Sequence, residues 1–400
     1  MKVLTINCGS SSVKYQFINL KTEQTLAKGV AEKIGEPKPL FTYKTKDYTK
    51  KKEPMVIPNH DEAISIIIKH LQDNEYGVIE DINEIEAVGH RLVHAGEYYS
   101  GAVKINDHVI EVMEKCSNLA PLHNPANIKG VKAMQKLLPN TPQAGLFDTA
   151  FHQTMPSRAY LYALPIEFYT KHKIRRYGFH GTSHKYVAQL AANYLNKEIT
   201  DLKIITCHIG NGASITAIDG GKSIDTSMGF TPLEGLVMGT RCGDIDPAIP
   251  IHMVKELGLS IDEVNKILNK KSGMLGLSDI SNDMREIEEE ILENHNKNAI
   301  TAHEVYAYRI KKYIGAYTAA LNGIDVLVFT GGVGENMPIL RSLVCKNLGY
   351  LGIKLNEKEN DQFTDKIINL TASESKVKIL KIPTNEELMI AKETEALINN

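Results

Sequence analysis

The sequence predicts an α/β protein made of two duplicated halves. Two stretches half a chain apart share one design. Residues 2–20 and 203–218 each give a buried strand, a turn of small residues and an alternating second strand. Each half adds a further strand that runs into glycines, IEAVGHRLVHAGE at 85–97 and DVLVFTGGVGEN at 325–336. The rest alternates strands with helical patterns at 183–195, 261–271 and 299–322, which sets the class. At 400 residues the chain exceeds what one core usually supports, in line with two domains.

The first element, KVLTIN, is rich in β-branched and apolar residues, as a buried strand is. In VKYQFINL, Val13, Tyr15 and Phe17 alternate with polar neighbours, the period-2 signature of a second strand. Between them, NCGSSSVKY holds a glycine and three serines without the grammar of a Walker loop: Lys14 comes too late and no helix follows. A hairpin turn also offers backbone N–H groups and serine hydroxyls to a phosphate, and a plain serine-rich surface turn is the competing reading. KIITCHIGNGASITAI repeats the design. Thr5-Ile6-Asn7-Cys8-Gly9 lines up with Thr206-Cys207-His208-Ile209-Gly210, and Ser12-Val13 falls near Ser214-Ile215 with one insertion. Such a repeat predicts duplicated domains facing each other with a shared ligand; chance likeness of two Gly-Ser hairpins is the alternative. The glycines at 331, 332 and 334 resemble GxGxxG only superficially, and the βαβ context of a dinucleotide fold is missing. At the tail, KVKILKIP reads as a strand, and Thr384 with Glu387 fits a capping box opening a last helix that ends near residue 398.

Composition excludes several classes. With 42% hydrophobic and 24% charged residues the chain is an ordinary globular one. No apolar run approaches the ~20 residues of a membrane helix, and MKVLTINCGSSS lacks the pattern of a signal peptide. A net charge of −2 argues against a nucleic-acid binder, and Lys50–Lys52 reads as a solvated loop. The five cysteines show no metal spacing and predict reduced thiols in a cytoplasmic protein.

Arg91 in VGHRLVHAG and Arg241 in GLVMGTRCGDIDP sit among small and apolar residues near strand ends, where a guanidinium fork meets a bound anion. A structural salt bridge is the commoner fate of a single arginine; two in corresponding contexts favour anion binding. Asp148 follows Leu146-Phe147 at the end of an expected strand, where a carboxylate needs a metal, an arginine or an N–H. His180 and His184 are spaced i, i+4, but Gly181 and the helix start at Thr182-Ser183 argue against one metal-binding helix face. His180 is expected to donate to an anion and His184 to be structural. Asp283 and Arg285 in SNDMRE alone say no more than helix start.

Taken together, NCGSSSVKY, VGHRLVHAGE, APLHNP, FDTAFHQTMP, RRYGFHGTSHKYV, CHIGNGASI, TSMGFTPLEGLVMGTRCGDIDP, LSDISNDMRE, FTGGVGEN and PTNEELMIA make the chain resemble the acetokinase family over essentially its whole length. Departures are small: HAG at 94–96 where HGG is usual, Cys8 where alanine is common, and Gly332 where AGIGEN-type sequences differ. They leave the substrate range open and the reaction type intact. The resemblance places the chain in the sugar-kinase, Hsp70 and actin superfamily. It implies two ribonuclease-H-like (actin-like ATPase) domains around a nucleotide cleft, at 1–150 joined by a C-terminal helix at about 385–400, and at 151–384.

It further implies Mg²⁺-dependent phosphoryl transfer between ATP and a short-chain carboxylate, acetate in the first place, giving an acyl phosphate and ADP. Mn²⁺ is the alternative ion. The resemblance assigns Asn7 and Glu386 to the metal, Ser10, Ser12 and Lys14 to the phosphate turn, and His208, Ile209, Gly210, Asn211 and Gly212 to the phosphates. Asp283, Met284 and Arg285, with Gly331, Gly332, Val333, Gly334 and Glu335, would frame the adenosine. Arg91 would hold the carboxylate, His180 and Arg241 the transferring phosphoryl oxygens, and Val93, Leu122, Phe179 and Pro232 the methyl group. Asp148 matches the family's essential aspartate. Because carboxylic acids with a pKa of about 4 are already ionised at neutral pH, Asp148 is expected to orient Mg²⁺ or an arginine and not to act as a base. A homodimer is implied as well. The nearest rival is a propionate or butyrate kinase on the same scaffold, since one methylene is worth only about 1–3 kcal/mol. An actin- or Hsp70-like ATPase would need ATP-dependent polymerisation or a substrate-binding domain, with no residues expected to remain for the latter, and a nicotinamide enzyme would rest on GGVGEN alone.

Overall fold

Strand β1, Lys2–Cys8, lies inside its sheet, so its apolar side chains are buried on both faces and the strand does not need to alternate. The computed structural model describes residues 1–121 and 123–399. Two compact units are present: Met1–Gln153 joined by the C-terminal segment from Asn385, and Thr154–Thr384.

In the first unit, β2 (Ser12–Asn19), β3 (Gln24–Glu32), β4 (Leu40–Thr45) and β5 (Thr49–Pro54) extend the sheet antiparallel from β1. On its other side β6 (Ala87–Leu92) and β8 (Gln143–Phe147) run parallel, with β7 (Val103–Lys104) at the edge, giving the order β5-β4-β3-β2-β1-β6-β8-β7. The lysines at 50–52 thus lie on edge strand β5 and not in a loop. Mostly exposed charges suit an edge, because they discourage further strand pairing.

The second unit contains β9 (Lys203–Ile209), β10 (Ala213–Asp219), β11 (Lys222–Thr226), β12 (Val326–Thr330), β13 (Ile368–Asn369) and β14 (Lys378–Lys381), in the order β11-β10-β9-β12-β14-β13. Its five strands β11-β10-β9-β12-β14 repeat β3-β2-β1-β6-β8 in order and direction. The two hairpins noted in the sequence are therefore the same corner of a duplicated α/β unit.

Helices cover the sheets. In the first unit, helix Glu386–Asn399 lies against β6 so closely that a Cβ on Gly89 would stand 2.7 Å from Ile390 Cγ2 and from Thr394 Oγ1. Helix Asn124–Leu137 packs on β1, and a Cβ on Gly130 would meet Cys8 Sγ at 2.3 Å. Since residues 5 and 8 of a strand face opposite ways and Gly89 pairs with Thr5, these helices take opposite faces. In the second unit, helix Lys297–Leu321 packs on β9 and β10, and helix Gly181–Tyr194 on β9 and β12. Fully buried Tyr15, Phe17, Phe41 and Tyr43 each contribute roughly 1.5–3 kcal/mol of apolar burial in the first unit. All five cysteines are free thiols. No helix among the described residues is long and apolar enough to cross a membrane.

The last helix starts differently from the sequence reading. Asn385 caps it, its Oδ1 accepting from Leu388 N at 3.0 Å. Thr384 is turned away: its N–H donates to Glu335 Oε1 at 3.1 Å and its hydroxyl meets Ser183 Oγ at 2.8 Å. Contacts within the second unit claim Thr384 before the cap can.

Candidate active site

In the first unit the register puts Asn7 of β1 beside Lys14 of β2 and Arg91 of β6. The hairpin closes with Gly9 N donating to Ser12 O at 2.8 Å, and His60 Nε2 fixes Gly9 O at 2.7 Å. Ser10 is exposed and Ser12 half-buried at this turn. Asp148, the residue after β8, has its N–H bonded to Leu92 O at 2.9 Å, so parallel pairing carries its carboxylate to the end of β6.

There Arg91 donates from Nε to Asp148 Oδ1 at 3.0 Å and from Nη2 to Oδ2 at 2.8 Å, a bidentate ion pair. Glu386 Oε2 stands 3.4 Å from Arg91 Nε. Burial works against the charge on Arg91, but Asp148 and Glu386 more than offset it and hold its pKa above the ordinary value. Burial pushes the Asp148 carboxyl up, Arg91 draws it down and Glu386 raises it again. The fork expected to hold a substrate carboxylate is thus engaged by Asp148. Glu387, next to Glu386, also has a raised pKa, first from burial and then from Glu386, with Arg91 and Lys14 lowering it. Exposed Lys14 thus acts electrostatically on this acidic end of the last helix.

In the second unit His180 caps helix Gly181–Tyr194 in the left-handed conformation, φ 57°, so His180 and His184 do not share a helix face. The His180 ring stacks on His208 with centroids 4.3 Å apart. Ser214 Oγ lies 2.9 Å from His180 Nδ1 and 2.8 Å from His184 Nε2, while His184 Nδ1 meets Thr206 Oγ1 at 2.7 Å. Ser183 Oγ meets His208 Nδ1 at 2.8 Å. In the sequence Ser183 stands out only as part of a helix start, and Thr206 and Ser214 only in the alignment of the two hairpins; none of the three is marked there as a site residue.

Arg241 comes to the same place. Its Nη1 donates to Pro232 O at 2.7 Å, and a Cβ on Gly212 would stand 3.2 Å from Nη2 and 3.5 Å from His180 Nε2. Among the described residues no carboxylate pairs with Arg241, and burial holds its pKa below the usual arginine value. This half-buried cation therefore faces a glycine turn without a counter-charge.

Gly331 follows β12 with φ 78°, where a Cβ would clash with Ile209 O at 2.7 Å. Glu335 Oε1 accepts from Gly331 N at 2.9 Å and from Thr384 N, so its carboxylate clasps backbone. Asn211 Oδ1 accepts from Asn282 Nδ2 at 3.1 Å, tying the 210–212 turn to the segment that carries Asp283. Asp283 caps helix Met284–Leu292 and binds the side chain of exposed Arg285, which lowers its pKa to about 2. Met284 and Ile209 point into the core, leaving only their backbone to a ligand. Gly332 is exposed with open space over its Cα, Val333 is half-buried and Gly334 buried. Val93 is half-buried in the first unit, Phe179 buried and Pro232 half-buried in the second, and Leu122 lies outside the described residues.

A sequence profile described as the acetokinase family matches residues 2–392. Acetate kinase of Pseudothermotoga lettingae is 55% identical over 402 residues, covering 100% of this chain and 98% of that one. The crystal structure of Porphyromonas gingivalis acetate kinase superposes with a TM-score of 0.96 at 48% identity, covering 99% of each chain. A propionate kinase from Francisella tularensis gives 0.91 at 42% identity, again over 99% of each.

Proposed function

The chain belongs to the acetokinase family, kinases that pass phosphate from ATP to a carboxylate, and from that premise we propose that it converts ATP and acetate to ADP and acetyl phosphate, reversibly. The observation that carries the reading is Arg241, a guanidinium with no carboxylate partner among the described residues, beside His180 and the Gly210–Gly212 turn. Such a cation suits the phosphoryl oxygens over which charge spreads during transfer.

Acetate, ionised at neutral pH, attacks the terminal phosphorus in line and needs no base. Asp148 orients the Arg91 guanidinium through its Nε and Nη2, leaving Nη1 for the substrate carboxylate. Asp148, Glu386 and Glu387 put three carboxyl groups around Arg91, with Lys14 acting on Glu387 as the further cation. Among the described residues no three His, Cys, Asp or Glu side chains are arranged to hold a metal ion by themselves, so Asn7 and Glu386 would hold Mg²⁺, directly or through water, with phosphate oxygens completing its shell. Bound there, the ion would neutralise phosphate charge.

The decisive experiment compares acyl-phosphate formation from ATP with acetate, propionate and butyrate. The highest kcat/KM for acetate supports the reading; the highest for propionate makes the enzyme a propionate kinase, as in the Francisella relative. We also propose a homodimer. Helix Ala248–Lys255 buries none of its residues and, with helix Ile261–Lys270, leaves Ile249, Ile251, Val254 and Ile261 exposed. Light scattering of the wild type and Ile251→Glu tests it.

A further inference from the structure

We propose that Ser214 is a positioning residue that decides which nitrogen of His180 carries the proton. The proposal rests on the reading of His180 as a phosphate-facing group. Ser214 is fully buried on β10, and its single hydroxyl stands between two imidazoles, 2.9 Å from His180 Nδ1 and 2.8 Å from His184 Nε2. A hydroxyl has one proton to give and lone pairs to accept with. Accepting N–H from both rings would leave its own buried proton without an acceptor, so it donates to one ring and accepts N–H from the other.

Two arrangements meet that condition. In the first, His184 Nε2–H donates to Ser214 Oγ, Ser214 donates to His180 Nδ1, and Thr206 Oγ1 donates to His184 Nδ1 at 2.7 Å. Neutral His180 then carries its proton on Nε2. In the second, every proton runs the other way and His180 Nε2 is a bare lone pair. Nε2 is the atom on the Gly212 side, where Arg241 Nη2 also points. An anion there is attracted by N–H and repelled by a lone pair, so it selects the first arrangement. The chain Thr206–His184–Ser214 thereby lets His180 donate to phosphate while uncharged. Titratable groups set around His180 include His208, stacked on it from β9, His184 beyond Ser214, and Arg241 across the turn. This gives buried His184 a reason beyond packing: it is the donor that orients the serine.

The test combines spectroscopy and kinetics on the full chain. Nitrogen-15 NMR of histidine-labelled protein at pH 8 with ADP and inorganic phosphate, assigned with His180→Asn, should show His180 protonated at Nε2 and not at Nδ1. Protonation at Nδ1 overturns the proposal. Ser214→Ala should lower kcat about tenfold at pH 8, the weight of one hydrogen bond. The loss should shrink at acid pH once His180 becomes an imidazolium, which carries both protons and needs no guidance. Ser214→Thr, which keeps the hydroxyl, should recover most of the rate. A loss that does not vary with pH, or no rescue by threonine, also overturns it. If His180→Asn itself leaves kcat intact, the reading of His180 fails instead, and the NMR result still decides the role of Ser214.

Discussion

Arg91 and Asp148, 57 positions apart in the chain, share a two-bond ion pair at the ends of neighbouring parallel strands. The pair is largely buried, with side-chain exposures of 23% and 5%. It decides how both residues work.

Asp148→Asn removes the carboxylate and leaves Arg91 facing Glu386 only at 3.4 Å. Breaking a buried pair from one side costs about 3–5 kcal/mol, less here because Arg91 is partly exposed, so the thermal midpoint should fall. On our reading kcat falls by orders of magnitude and the Mg²⁺ needed for half-maximal rate rises. A general base would instead give the wild type an acidic limb in kcat that the variant lacks, with Mg²⁺ dependence unchanged. Rate profiles against pH and Mg²⁺ separate the two.

Arg91→Ala should raise KM for acetate far more than KM for ATP. Arg91→Lys should rescue little, because an ammonium cannot keep Asp148 in a two-bond grip and still present a donor to substrate. Equal changes in both KM values would mark Arg91 as purely structural.

Val93→Ala should move preference toward propionate by up to about tenfold. Val93 is two residues beyond Arg91 and, like it, half-buried, with its N–H held by Asn127 Oδ1 at 3.0 Å. An unchanged ratio of kcat/KM for acetate and propionate removes Val93 from the acyl site.

His90 on β6 is 2% exposed and bonds Gln143 Oε1 at 2.8 Å, and burial lowers its pKa from 6.5 to about 4. The unfolded chain therefore binds a proton at His90 before the folded one does. That contribution to stability is complete above pH 6.5 and is lost as pH falls toward 4. Between pH 7.5 and 5 the loss is about 2 kcal/mol from this residue. Denaturant unfolding of wild type and His90→Gln at both pH values should show the variant with the shallower dependence.

The sequence by itself determined what depends on near neighbours. The hairpins at Asn7 and His208, the strand that ends before Asp148 and the break between His180 and His184 follow from alternation, β-branched runs and glycine placement. The resemblance to the acetokinase family was carried by such local motifs too, and the profile and relatives bear it out. Contacts between distant segments were decided by the tertiary structure. Asp148 meets the Arg91 fork only because burial on both faces fixes the register of β6 against β8, which no local pattern encodes. Ser214 joins two histidines because β10 pairs with β9 beneath the first turn of a helix begun some thirty residues earlier. Thr384 gives up its capping role because Ser183 and Glu335, both far off in sequence, offer its polar groups partners first. A side chain's hydrogen bonds depend on what the fold places within about 3 Å, and periodicity reports only which face it is on.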